Sequence, residues 1–116
     1  MSTSGNLGYF TIPVSDLERG KAFYGALFGW KFEEANDANA RYAHIGNTTP
    51  PGGLNAESGT SPRVWFRVED IHAATALVRK LGGHAGELQK SPSGWNASCR
   101  DDQGTHFDLW QPAPGY

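Results

Sequence analysis

The sequence predicts an α+β fold of two tandem βαβββ modules, and three observations carry that prediction. The second half repeats the first at a constant offset: Val14-Ser15-Asp16-Leu17 returns as Val68-Glu69-Asp70-Ile71, and 70 − 16 is 54. The same offset, without a gap, pairs Phe10 with Val64, Ile12 with Phe66, Ala22 with Ala76, Phe23 with Leu77, Leu27 with Leu81 and Gly29 with Gly83. These matches fall on apolar, capping and glycine positions, so the repeat is structural. Each half also opens on a stretch that alternates apolar and polar residues, as a half-buried strand does. Each stretch then runs through a helix-capping residue into a helical apolar pattern closed by glycine.

At 116 residues the chain is one domain's worth, and the prediction is a single domain with modules at about 7–58 and 62–112. Either half, at roughly fifty residues, is marginal alone, so the halves share a core or pair with another chain. A net charge of −2 supplies no basic field for nucleic acid. Cys99 is the one cysteine; it excludes an internal disulfide, fits a reducing compartment and reads as a small strand residue. The short polar start, Met1 to Asn6, lacks the regions of a signal peptide, and no apolar run reaches bilayer length. The expectation is a cytoplasmic protein without membrane contact.

The first strand is expected over Leu7–Val14, with Phe10, Ile12 and Val14 on one face and Tyr9, Thr11 and Pro13 on the other. Pro13 donates nothing to a ladder and belongs near the strand's end or at an edge. Ser15 is expected to open a capping box with Glu18. The helix that follows runs to about Phe28, burying Leu17, Phe23, Ala26 and Leu27, and ends at Gly29 in a left-handed conformation. Short strands are expected at Trp30–Glu34 and Arg41–Ile45, around a turn at Ala35–Ala40, and at Gly53–Glu57 after the Pro50-Pro51-Gly52-Gly53 break.

In the second module, Arg63–Val68 alternates Val64, Phe66 and Val68 against Arg63, Trp65 and Arg67. Asp70 caps a helix carrying Ala74, Leu77, Val78 and Leu81, which Gly82-Gly83 ends. Strands are expected near Ala85–Gln89, Trp95–Asp101 and Thr105–Gln111, with turns at Ser91–Gly94 and Asp102-Gln103-Gly104. Ser58–Pro62 is the one short linker.

With the apolar strand faces against the helices, the opposite faces carry Tyr9, Thr11, Arg63, Trp65, His106, Asp108 and Trp110. An aromatic surface with a few polar groups suits a small organic ligand. A dimer contact and a plain solvated face are the other readings of the same residues.

The run from Tyr9 to Tyr24, the Gly29-Trp30 helix exit and the ending Asp101-Asp102-Gln103-Gly104-Thr105-His106-Phe107-Asp108-Leu109-Trp110 resemble the vicinal oxygen chelate superfamily. That group includes glyoxalase I, extradiol dioxygenases, fosfomycin resistance enzymes and bleomycin resistance proteins. The resemblance covers about Leu7 to Pro112 and implies a curled eight-stranded mixed sheet around a cleft, helices on its outer face, and homodimerisation. Such motifs report the fold and leave the activity open.

Metal-using members take one ligand from the first and one from the last strand of each module. By that resemblance the four places fall on Tyr9, Leu54, Arg63 and Asp108. Arginine and leucine are not ligands, and a catalytic zinc or iron site wants three protein ligands. No metal or other cofactor is expected. An Arg63–Asp108 pair in the former metal place is expected instead. The expected function is a metal-independent binder in which Tyr9, Trp65 and Trp110 stack on a planar ligand, Thr11 joins them, and Arg63 and Asp108 orient it. The alternative is a metal-free isomerase, lyase or hydrolase-like enzyme with His106 or Asp108 as general base. A metal-dependent lyase or dioxygenase is third.

Overall fold

A computed structural model describes residues 5–33, 41–57, 59 and 61–116. Among these the chain forms two helices and an eight-stranded mixed sheet that is not closed. The described residues group into two compact units, one within Tyr9–Arg63 and one within Val64–Tyr116, the second joined by residues 5–8.

The first unit contains β1 (Leu7–Val14, whose first two residues travel with the second unit), α1 (Leu17–Phe28), β2 (Tyr42–Ile45) and β3 (Gly52–Ala56). β1 runs parallel to β3 in the register Thr11↔Gly53 and Ile12↔Leu54. β2 lies antiparallel on the other side of β3, with Ala43↔Leu54 and His44↔Gly53. Pro13 is the penultimate residue of β1, as its missing N–H requires.

The helix cap differs from the expected one. Asp16, not Ser15, is the N-cap of α1, its carboxylate accepting from the Arg19 amide at 3.1 Å. Glu18 turns outward to Lys21 at 3.1 Å. Asp70 caps α2 in the same way through the Ala73 amide. The two caps are partners in the 54-residue repeat. Gly29 ends α1 at φ 71°, a left-handed conformation that glycine enters without steric penalty.

The predicted buried stripe of α1 is also displaced. Gly20 is the residue that packs inward, while Phe23 and Leu27 are 61 % and 59 % exposed. A Cβ on Gly20 would stand 3.0 Å from a Val14 methyl and 3.3 Å from Leu54. The strand therefore meets the helix where a side chain is missing, and the apolar stripe is rotated outward.

The expected strand at Trp30–Glu34 is reduced to one bridge, Phe32↔Ile45. Asn47 explains this by taking over the backbone at the helix exit. Its side chain accepts from the Lys31 amide at 2.8 Å and donates to the Gly29 carbonyl at 3.0 Å. The turn expected at Ala35–Ala40 and the Glu34 end of that strand lie outside the described residues, as do positions 58 and 60 of the linker. The strand expected at Gly53–Glu57 is present one residue earlier at each end.

The second unit contains β4 (Arg63–Arg67, its first residue counted with the other unit), α2 (Ile71–Lys80), β5 (His84–Ala85), β6 (Gln89–Ser91), β7 (Gly94–Arg100) and β8 (His106–Pro112). β4 pairs parallel with β8, and β7 pairs antiparallel with β8 on its other side. β5 and β6 both pair with β7. The strand expected at Ala85–Gln89 is thus two short pieces. The core joins Ile71, Ala85, Ala97, Cys99 and Leu109, with Phe66, Val68, Ala74, Val78 and Phe107 packed against it. Phe66, Phe107 and Leu109 face the helix side as alternation predicts. Leu77 and Leu81 are 52 % and 68 % exposed, so the outward rotation of α1 recurs in α2.

The registers also correct one equivalence. Ile12 pairs with Leu54 and Phe66 with Leu109, so a shift of 66 − 12 = 54 on the first strand becomes 109 − 54 = 55 on the last. The extra residue lies in the segments before the last strands. Leu54 is the counterpart of Leu109 and fully buried on the helix side. The counterpart of Asp108 is Gly53.

Candidate functional site

In the second unit, the face away from α2 is built from alternate residues of three strands. Trp65, Asp108 and Ser98 form one row in register. Asp108 is 2 % exposed. A buried carboxylate is retained only with partners. One partner is His106 two residues earlier on the same face, with Nε2 at 3.4 Å from Asp108 Oδ1. The same Nε2 lies 2.9 Å from the Ser98 hydroxyl oxygen. One nitrogen carries at most one proton, so at any moment it either accepts from the Ser98 hydroxyl or donates to Ser98 or Asp108. Further interactions engage Asp108, and Trp65, Tyr9 and Arg63 are likewise engaged.

Trp110 continues this face, one row from Asp108. Its indole N–H donates to the Ser93 carbonyl at 3.0 Å, and the Arg67 guanidinium lies 5.3 Å from its ring centroid. Gly8 makes room for both: a Cβ there would stand 3.0 Å from the Trp110 ring and 2.5 Å from the Arg67 side chain. Trp110 is a held platform with a cation on it.

Cys99 is buried on the opposite, helix-facing side. Burial pushes its thiol upward, and the Asp108 charge adds to that shift. A thiol held protonated is a poor nucleophile, consistent with a packing role.

In the first unit, the face away from α1 carries Tyr9 and Thr11 on β1 and Tyr42 and His44 on β2, with Gly53 between them on β3. The Tyr9 hydroxyl meets His44 Nδ1 at 3.1 Å, and the two rings are stacked at 15°. Thr11 is 4 % exposed, and its hydroxyl oxygen meets no hydrogen-bond partner among the described residues. Burial pushes the Tyr42 phenol up to about 12. Arg63 opens β4, half-buried.

The structure brings Trp65, Asp108 and His106 together within one unit and Tyr9 and Thr11 within the other. It removes Leu54 from this face. His44, Tyr42 and Ser98 share the candidate faces without being singled out by strand alternation alone, although the sequence holds a signal for them. Tyr42-Ala43-His44-Ile45 lies 54 residues before Asn96-Ala97-Ser98-Cys99, and both stretches place the small or apolar member inward.

The donor set does not fit the metal that the resemblance implies. Of the four equivalent places, Arg63 carries a cation and Gly53 has no side chain. Among the described residues, no group of three or more His, Cys, Asp or Glu stands close enough to hold an ion. Nor is any helix among them long and apolar enough to cross a membrane.

A family model described as bleomycin resistance protein-like N-terminal matches residues 7–43. A glyoxylase-like domain-containing protein of Didymella fabae is 28 % identical over 93 residues, covering 72 % of this chain and 73 % of that protein. Methylmalonyl-CoA epimerase from Mycobacterium tuberculosis superposes with a TM-score of 0.68 at 18 % identity, covering 98 % of this chain and 92 % of that one. A glyoxalase/bleomycin resistance protein/dioxygenase superfamily member from Vibrio splendidus gives 0.67 at 13 % identity, covering 89 % and 96 %. At such identities the solved structures establish the fold alone.

Proposed function

The fold is that of the vicinal oxygen chelate proteins, and from it we propose a metal-independent small-molecule-binding protein of the glyoxalase/bleomycin-resistance type. Its ligand is planar or aromatic. The observation that carries this reading is the replacement of metal-ligating chemistry by Arg63 and Gly53 while an aromatic, polar face is kept. Trp65 and Trp110 offer π-surface, and the buried Asp108 offers an acceptor for a ligand N–H or O–H. Within the other unit, Tyr9, Thr11 and Arg63 are the further proposed ligand contacts, with Arg63 suited to an anionic or carbonyl group. The proposal places the protein in the cytoplasm as a homodimer, with no nucleic-acid partner.

The test has two parts. Protein purified without chelator is analysed for zinc, nickel, manganese and iron, and aromatic ligands are screened by tryptophan fluorescence. Substoichiometric metal, with ligand quenching that survives chelator, is expected. Stoichiometric metal overturns the reading. Asp108→Asn is expected to weaken the best ligand about tenfold, the worth of one hydrogen bond to a charged group.

The contact of His106 Nε2 with both Ser98 and Asp108 favours a second reading, a metal-free enzyme with His106 or Asp108 as general base. Turnover of a bound ligand, abolished by Asp108→Asn, would establish it.

A further inference from the structure

We infer that the Tyr42 hydroxyl is a ligand-binding group: standing where a side chain on Gly53 would stand, it donates a hydrogen bond to an sp2 oxygen of the ligand, with the His44 imidazole as a second polar contact. The inference rests on the planar-ligand reading and names the chemistry that reading leaves open, a ketone or carboxylate oxygen.

The registers supply the first argument. Gly53 lies opposite Thr11 and His44 on β1 and β2, as Asp108 lies opposite Trp65 and Ser98 in the other module. A Cβ built on Gly53 would collide with the Tyr42 hydroxyl oxygen. Each module therefore holds an oxygen at this place. In one it is the residue's own carboxylate, and in the other a phenol reaching across from the neighbouring strand. The first is an acceptor only, whereas the second carries a proton to donate.

A phenol keeps its proton at neutral pH, and burial pushes that of Tyr42 further up, to about 12. The His44 imidazole stands on the same face, its Nδ1 3.1 Å from the Tyr9 hydroxyl, and adds a second polar group beside the phenol. Thr11 gives an independent sign of a ligand. Its buried hydroxyl lies on the same row and meets no partner among the described residues. Native proteins rarely keep such an atom without a use for it.

The test is an NMR titration of the whole protein with 2-acetonaphthone, 2-naphthoate and 2-ethylnaphthalene, probes sharing one ring system. The wild type is expected to bind one or both oxygen-bearing probes about tenfold more tightly than the hydrocarbon. The ketone and carboxylate arms tell which oxygen the row prefers. Tyr42→Phe is expected to erase that preference and leave hydrocarbon binding unchanged. Gly53→Ala, which displaces the hydroxyl while keeping the phenol, is expected to act alike. Equal binding of all probes by the wild type, or a preference that survives Tyr42→Phe, overturns this inference alone. Failure of every probe overturns the planar-ligand reading and this inference together. Thr11→Val keeps the side-chain shape and is expected to raise Tm by about 4 °C through loss of an unsatisfied hydroxyl. A fall in Tm would assign the row to a structural water and overturn the inference.

Discussion

In the first module the row facing away from the helix reads Thr11, Gly53 and His44; in the second the same row reads Trp65, Asp108 and Ser98. One residue further along, on the helix side, the modules still agree. Ala43 and Ala97, Ile45 and Cys99, and Leu54 and Leu109 are buried in both. The difference teaches what a duplicated fold preserves. Packing positions answer to burial, so they stay apolar in both modules even where size differs, as at Ile45 and Cys99. On the proposed reading the opposite face answers to a ligand, and its chemistry differs between the modules, with a carboxylate in one and a phenol over a glycine in the other.

The largest expected effect concerns the packing side of this comparison. Leu54→Ala and Leu109→Ala should each destabilise the protein by about 3 kcal/mol, since both leave a cavity in a closed core. Urea unfolding of the two variants checks this. A small loss at Leu54 beside a large one at Leu109 would break the equivalence and restore the uniform 54-residue shift.

A smaller effect is expected at the caps. Asp16→Ala and Asp70→Ala should each cost about 1 kcal/mol in thermal unfolding, whereas Ser15→Ala should change almost nothing, its side chain capping no helix. A Ser15 effect equal to that of Asp16 would revive the capping box.

The last effect is absent at neutral pH and confined to alkaline pH. The phenol of Tyr42 is raised from 10.0 to about 12 in the folded protein. Between those values the unfolded chain has lost the proton that the folded one retains, so stability falls as pH rises through that window. Below pH 10 the contribution is fully present. Absorbance at alkaline pH should show a late-ionising tyrosine that disappears in Tyr42→Phe. A Tyr42 that ionises near 10 would mean its hydroxyl is solvated, and the contrast with the buried Asp108 would weaken.

Most of the fold and part of the candidate site are legible in the amino-acid sequence. Asp70 as a cap, Gly29 as a left-handed stop, and the helix-facing set Phe66, Phe107 and Leu109 follow from local hydrogen bonding and alternation, which act within a few residues. Trp65, Asp108 and His106 are legible for the same reason, being alternate residues of recognisable strands. Phe23 and Leu27 mislead, because an apolar residue at helical spacing reads as inward. The buried line of α1 is set instead by Gly20, where Val14 and Leu54 approach. His44 and Tyr42 stay hidden because a four-residue strand carries little periodic signal of its own.

The sequence by itself determined the duplication, the helix ends and which residues of each strand share a face. All of these depend on covalent spacing and on contacts within a turn or two of backbone. Tertiary structure decided which residues stand opposite one another. Register depends on how loops close and on what fills the space left by a glycine, and a slip of one residue moves every side chain to the other face. That slip exchanged Leu54 for Gly53, and only the folded chain placed the Tyr42 hydroxyl in the vacated space.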